Sequence, residues 1–214
     1  MDLWGPATTA SIGGKRYFLT VYDDFSHHID LYFLKNKSDA LASLKEFTAK
    51  AETQTGRKIK QIRSDGGGEF TGNAAKAFYS DKGIQHLLVP PGAHAQNGRV
   101  ERVHLTLLNL VRTLPPSFWA EAASYAYIRN RTPCKPSNRI PDNIWYGKAK
   151  AHSHLHPFGC KVFYRHHEAI SKLSPRYSEG ILMGYITGTT SYRVWDQQRR
   201  KIVKTRDVIC QEFN

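Results

Sequence analysis

Apolar and polar positions set out two short runs early in the chain, 17–22 and 29–34, both rich in β-branched and aromatic side chains. They read as paired strands, separated by Asp23-Asp24-Phe25-Ser26, a turn-forming break. The period then changes. Leu41, Leu44 and Phe47 fall on one helical face, with Ser38 as N-cap and Gly56 as stop. Residues 58–62 predict a strand, 74–78 a short helix ending near Gly83, and 84–89 a further strand. Residues 90–98 (Pro-Pro-Gly-Ala-His-Ala-Gln-Asn-Gly) read as a loop. After it, Val100, His104, Leu107, Leu108 and Val111 recur at helical spacing, and Phe118, Trp119, Ala122, Tyr125, Ala126 and Ile128 mark a second helix. Paired strands followed by alternating helices and strands predict an α/β domain with a mixed sheet flanked by helices.

The pattern changes again at 133. Residues 133–157 are rich in Pro, Lys and His and read as a connector. Short apolar runs at 161–164, 180–185, 192–195, 202–204 and 207–210 follow at regular spacing, which predicts a small β-barrel. The expected organisation is therefore a first domain over 1–132, a connector over 133–157 and a small β domain over 158–214.

Composition narrows the function classes. No apolar run approaches the roughly 20 residues of a membrane-spanning helix, and no charged stretch followed by an apolar one opens the chain as a secretory signal would. Cys134, Cys160 and Cys210 have no paired spacing, so neither a disulfide framework nor a zinc knuckle is expected, and a reducing compartment is. Net charge is +13, and it is unevenly spread. Residues 1–147 carry 19 Lys and Arg against 13 Asp and Glu, whereas 148–214 carry 12 against 5. A basic segment of this kind suits a phosphate backbone, since each cation that neutralises a phosphate releases a counterion.

Three carboxylates are placed where they can converge on one edge of the sheet. Asp65 follows a strand and precedes Gly66-Gly67-Gly68, Glu101 opens a helix after the Asn97-Gly98 loop, and Asp2 stands before the first strand pair. Glycines beside a carboxylate leave room for backbone or ligand to come close. Two divalent cations about 3.5–4 Å apart need such a set of hard oxygen ligands to clamp the attacking and leaving oxygens of a phosphodiester. Asp23 and Asp24 read as a strand-end turn, Glu69 as structural or substrate-side, and His152, His154 and His156 as a solvated loop. Trp119 and Tyr125 read as core, and Lys58 and Lys60 as facing solvent. Gln96, Asn97, Arg99 and Arg102 border Glu101, where contact with DNA is possible. Arg199, Arg200 and Lys201 suit phosphate contact, a nuclear import signal or a solvated hairpin tip.

Asp2-Leu-Trp-Gly-Pro6, Val21-Tyr-Asp-Asp-Phe-Ser26, Arg63-Ser-Asp-Gly-Gly-Gly-Glu-Phe70 and Gln96-Asn-Gly-Arg-Val-Glu-Arg102 resemble, in this order, the integrase of copia-type long-terminal-repeat retrotransposons. So do Phe118-Trp-Ala-Glu-Ala122, Asn130-Arg-Thr-Pro133, Phe158-Gly-Cys160 and Tyr192-Arg-Val-Trp-Asp196. The resemblance implies a ribonuclease H-like core and an SH3-like β-barrel after it. It also implies a metal triad of two Asp and one Glu, the last two separated by 35 residues; carried over by motif, these are Asp2, Asp65 and Glu101. The implied enzyme is a polynucleotidyl transferase and endonuclease that uses Mg2+ or Mn2+ to trim element DNA ends and join them to target DNA. Its partners would be those DNAs and further copies of itself. Its location would be the nucleus and the cytoplasmic particle of the element.

The sequence departs from the family at Gly66, where Asn is usual, and at His27, where Arg is usual. The stretch between Arg112 and Phe118 is short, so the helix bearing Glu101 is expected to end early. The core is expected to be N-terminally truncated, with no His/Cys module before it, no polymerase after it, and Asp2 at a frayed terminus. A rival reading is a catalytically dead nucleic-acid-binding remnant. A third is a ribonuclease H-type nuclease that cleaves without joining.

Overall fold

In a computed structural model of the chain, β1 (Asp2–Trp4) pairs antiparallel with β2 (Tyr17–Tyr22), placing Asp2 opposite Thr20. β2 in turn pairs antiparallel with β3 (Ile29–Leu34). The structure describes residues 1–89, 94–112, 115–135, 138–149, 152–165, 176–186 and 189–211, and of 94–97 the backbone. The described residues fall into two units, Met1–Lys150 and Ala151–Asn214.

Strand alternation assigns the side chains of the first unit to two faces. Leu19 and Val21, with Leu3, join one buried cluster; Phe18 and Tyr22, with Trp4, join the other. The first cluster is covered by α1 (Ala40–Thr55), whose Ala40, Leu44, Phe47 and Ala51 recur at helical spacing and are buried. Leu44 is fully buried, a contribution of about 1.5–3 kcal/mol. α1 stops at Gly56, which adopts φ 67° and returns its N–H to Glu52 O, as read from the sequence. Its start differs. A 3-10 turn over Lys37–Asp39 precedes it, and Asn36 N donates to Asp39 Oδ2 at 3.0 Å, so Asp39, not Ser38, closes the N-terminal turn.

β4 (Gln61–Ser64) runs parallel to β5 (Gln85–Leu88), with α2 (Gly68–Thr71) and α3 (Asn73–Lys82) as the crossover between them. The strand begins three residues later than the apolar pattern suggests, because β5 offers a partner only from Gln61 onward. Met1 N donates to Arg63 O at 2.7 Å, which brings β4 alongside β1.

α4 (His94–Arg112) covers the second face through Val103 and Leu107. The expected loop over 90–98 is corrected here. Residues 90–93 lie outside those described, but 94–98 are helical. Once later turns are packed, a helix propagates cheaply back through polar residues. The predicted helix over 118–128 is split into a 3-10 segment, Pro116–Ala122, and α5 (Ala123–Arg131). Trp119 is buried in the second cluster and donates Nε1–H to Thr9 O, and Tyr125 packs against it.

The stretch read as a connector contains α6 (Pro141–Tyr146), opened by a proline and closed by Gly147 at φ 66°. Trp145 is buried in the first cluster, stacks on His28 at 4.5 Å and donates to Gln54 Oε1 at 2.9 Å. Asp142 is buried beside Arg131 (3.2 Å) and His28 Nδ1 (3.1 Å). This helix therefore belongs to the core of the first unit.

The second unit is an antiparallel sheet ordered β10-β6-β7-β8-β9, with β6 (Lys161–Arg165), β7 (Tyr177–Tyr185), β8 (Tyr192–Asp196), β9 (Lys201–Thr205) and β10 (Val208–Cys210). Val162, Leu182 and Val194 are fully buried. Gly180 is required, because a Cβ there would collide with Val194 Cγ1 and lie 2.9 Å from Trp195 O. The histidines read as a solvated loop are partly packed instead. His154 and His156 lie edge-on or tilted against Tyr185 and Tyr192, and the Tyr185 hydroxyl bonds both N and O of His156. The fold also brings the Cys160 and Cys210 sulfurs to 3.8 Å, a proximity their sequence spacing does not announce. Among the described residues no helix is long and apolar enough to cross a membrane.

Candidate active site

Asp2 alternates with Leu3, so it shares the face of Trp4, the face that α4 covers. Thr20, its cross-strand partner, points the same way. α4 meets both with His104. Its Nδ1 stands 3.2 Å from Asp2 Oδ2, and its Nε2 stands 2.7 Å from Thr20 Oγ1. His104 is buried, and desolvation holds its pKa down at about 4, so the ring is neutral at neutral pH.

The sequence places residue 2 at a frayed end, and the structure corrects this. Met1 is buried in the first cluster, its nitrogen bonds Arg63 O, and residues 2–4 are strand-paired. The Asp2 side chain is 22% exposed. Its pKa is raised, first by burial and then by the negative charge of Asp65; a hydrogen bond from Leu3 N–H opposes this, and Glu101 adds to it more weakly. Both Asp65 and Glu101 thus act electrostatically on Asp2.

Asp65 directly follows β4, on an exposed turn, and its Oδ1 accepts from Gly67 N at 3.2 Å. Of the three glycines after it, only Gly67 is closely approached, with Glu69 Oε1 at 2.7 Å from where a Cβ would be. Glu101 is half-buried on α4. Because the helix opens at His94, Glu101 lies in its second to third turn, not the first as the loop reading implied. Among the described residues, no three His, Cys, Asp or Glu side chains close on one point as a ready ligand set. The donor chemistry nonetheless fits a hard cation, since all three groups are carboxylates and the crowding of charge at Asp2 is what a divalent ion relieves.

The other singled-out residues divide. Arg99 reaches Asp24, with 3.3 Å to both its carbonyl and Oδ1. Arg102 is exposed and donates Nε–H to Gly98 O. Gln96 and Asn97 lie in the first turn of α4, and their side chains fall outside the described residues. Asp23 Oδ2 accepts from Ser26 N and Oγ, as a turn former does. Glu69 pairs with Lys37 at 3.2 Å. Arg199, Arg200 and Lys201 stand exposed at the β8–β9 turn of the second unit, where Arg199 N and Nε also reach the buried Asp196. Sequence reading passed over His104 as one more residue of a helical stripe. A polar residue in that buried stripe, three positions after Glu101, was the available signal.

Residues 1–94 match the integrase core domain, and residues 160–214 match the retroviral polymerase SH3-like domain. The chain is 38% identical over 220 residues to the retrovirus-related Pol polyprotein from transposon TNT 1-94 of Nicotiana tabacum, covering 99% of this chain and 17% of that protein. It is 29% identical to the polyprotein from transposon RE2 of Arabidopsis thaliana, over 89% of this chain and 14% of that one. The chain thus spans about a sixth of the length of the curated relatives it matches. Among solved structures, a chain of the simian T-cell lymphotropic virus intasome in complex with PP2A regulatory subunit B56 gamma shares its fold. The TM-score is 0.50 at 16% identity, over 95% of this chain and 75% of that one. Residues 1–94 thus belong to the integrase core domain family and residues 160–214 to the retroviral polymerase SH3-like domain family, in a chain similar along nearly its whole length to Pol polyproteins of copia-type transposons.

Proposed function

We propose that this chain supplies the catalytic core of a polynucleotidyl transferase that trims element DNA ends and joins them to target DNA. Asp2, Asp65 and Glu101 would hold Mg2+ or Mn2+. What carries the reading is placement: Asp2 lies on β1, Asp65 at the end of β4, which the Met1 nitrogen ties to β1, and Glu101 on the helix that covers the Asp2 face, with Asp65 and Glu101 both raising the pKa of Asp2. When bound, paired divalent cations activate the attacking hydroxyl or water and offset charge developing on the scissile phosphate.

The chain's own residues do the positioning. β1–β2 pairing and His104 fix the Asp2 carboxylate, the Gly67 N–H orients Asp65, and α4 presents Glu101. Arg99 and Arg102 of α4 are exposed, and together with Gln96 and Asn97 of its first turn they would contact a DNA backbone. Arg199, Arg200 and Lys201 of the second unit add a basic hairpin tip. The partners are element DNA ends and target DNA, held by several copies of the chain, and the working location is the nucleus, reached from a cytoplasmic particle.

A second reading, a non-catalytic nucleic-acid-binding remnant, draws on the lack of a closed ligand set among the described residues. Purified chain offered oligonucleotides matching the element's ends, with Mg2+ or Mn2+, separates the two. Joining by the wild type and its loss in Asp65→Asn and Glu101→Gln supports the enzyme. Equal joining by all three sinks the catalytic assignment, cleavage without joining indicates a nuclease, and salt-dependent binding without strand chemistry indicates the remnant.

A further inference from the structure

The His104 ring touches the Asp2 carboxylate and the β2 strand together while sharing a helix with Glu101. It stands three residues after Glu101, so the two side chains project from neighbouring positions on α4. We infer that His104 is a positioning residue of the metal site: it donates Nδ1–H to Asp2, accepts the Thr20 hydroxyl at Nε2, and so sets the orientation of Asp2 toward Asp65 and Glu101.

The two contacts select one tautomer when Asp2 is ionised. An ionised carboxylate only accepts, so the nitrogen 3.2 Å from Asp2 Oδ2 would carry the proton. The other nitrogen then accepts, and the Thr20 hydroxyl at 2.7 Å is its donor. Thr20 is fully buried and belongs to the central strand of its sheet, so the relay starts from a rigid point. The ring is also held edge-on against Phe18 at 5.1 Å, and Phe18 stacks on Trp4 of the strand that carries Asp2. Phe18 and the Thr20 contact together restrain rotation of the imidazole. A carboxylate restrained through one oxygen keeps the other oriented for a cation, which is how outer-shell hydrogen bonds raise metal affinity.

This inference rests on the metal-site reading above, and its test separates the two. Mn2+ binding to the full 214-residue chain is followed by loss of the free-ion electron paramagnetic resonance signal, with thermal unfolding by circular dichroism on each variant. Asp65→Asn tests the site itself: unchanged Mn2+ binding in that variant overturns the metal reading and the inference with it. Given loss in Asp65→Asn, the pair His104→Asn and His104→Gln decides the role of the ring. The Asn amide falls near the Nδ1 position and keeps the donor to Asp2; the Gln amide falls near Nε2 and keeps only the link to Thr20. Binding within about threefold of wild type for Asn, and weakened about tenfold or more for Gln, is the expected result. Equal binding by the two, when both melt as folded proteins, overturns the inference. Where either variant unfolds, Thr20→Val takes its place. Without the hydroxyl the ring is free to carry its proton on Nε2 and turn an acceptor to Asp2, so weakened Mn2+ binding supports the inference and wild-type binding overturns it.

Discussion

The carboxamide of Asn130 accepts the amide proton of Ile29 at 2.9 Å and donates to the Ile29 carbonyl at 2.8 Å. One side chain of α5 thus satisfies both backbone groups of a residue on β3, as a neighbouring strand would. Asn130→Ala leaves two buried backbone groups without partners and is expected to destabilise the chain by about 2–3 kcal/mol. Urea unfolding measures this as a lower midpoint with an unchanged slope. A loss under about 0.5 kcal/mol, the range of ordinary surface substitutions, would show that water replaces the amide.

Trp145 makes the corresponding case for α6. Its indole fills the first cluster, stacks on His28 and bonds Gln54. Trp145→Ala is expected to cost about 3–5 kcal/mol through the cavity it opens. Trp145→Phe, which gives up the Gln54 bond and part of the stack, should cost clearly less. Thermal unfolding of both variants ranks them, and an alanine variant that melts like wild type would return residues 141–146 to the status of a linker.

What was legible in the sequence follows from the range of the interactions involved. The spans of β2 and β3 could be read because pairing partners a few residues apart share β-branched and aromatic content. The end of α1 could be read because Gly56 is a local device. α4 began earlier than read because His94 to Gly98 take their conformation from Val103 and Leu107, residues further along that the core holds. α6 was missed because its composition is that of a loop, and a single buried Trp145, anchored to Gln54 and His28 far away in the chain, decides it. For the proposed site, motif and spacing nominate Asp65 and Glu101. The anchoring of Asp2 was not legible, since it depends on long-range bonds from Met1 to Arg63 and from His104 across to β1.

Acid sensitivity should come from two buried groups. Burial alone would push the Asp196 carboxyl up, but hydrogen bonds from the Tyr164 hydroxyl at 2.5 Å and from backbone N–H groups of Arg199 and Gln198 hold it below its usual range. Its folded pKa is depressed, so it stabilises the fold above the ordinary carboxylate pKa of 3.8 and loses that effect as pH falls through the folded value. His104 is depressed from 6.5 to about 4 by burial, so its contribution is complete above pH 6.5 and is lost as pH falls toward 4. Urea midpoints should therefore fall between about pH 7.5 and 5 in the wild type and fall less in His104→Asn. Tyr164→Phe should flatten the limb below about pH 4.

Electrostatics of the second unit can be tested on DNA of arbitrary sequence. Arg200 and Lys201 are exposed at the β8–β9 turn. If each meets a phosphate, the double variant Arg200→Ala/Lys201→Ala lowers affinity across all sequences. It also reduces the slope of log affinity against log salt by about 2, one for each phosphate no longer neutralised. Fluorescence anisotropy between about 50 and 200 mM salt reads the slope, and an unchanged slope assigns these cations to solvent.

Asp2, Asp65 and Glu101 are proposed to serve one site for divalent cations. The most direct test is anomalous diffraction at the manganese edge from crystals of the chain soaked in Mn2+. A peak is expected within bonding distance of carboxylate oxygens of both Asp2 and Asp65, on the side of Glu101. Manganese bound only elsewhere, or no peak at Asp2 and Asp65 at saturating Mn2+, would contradict it.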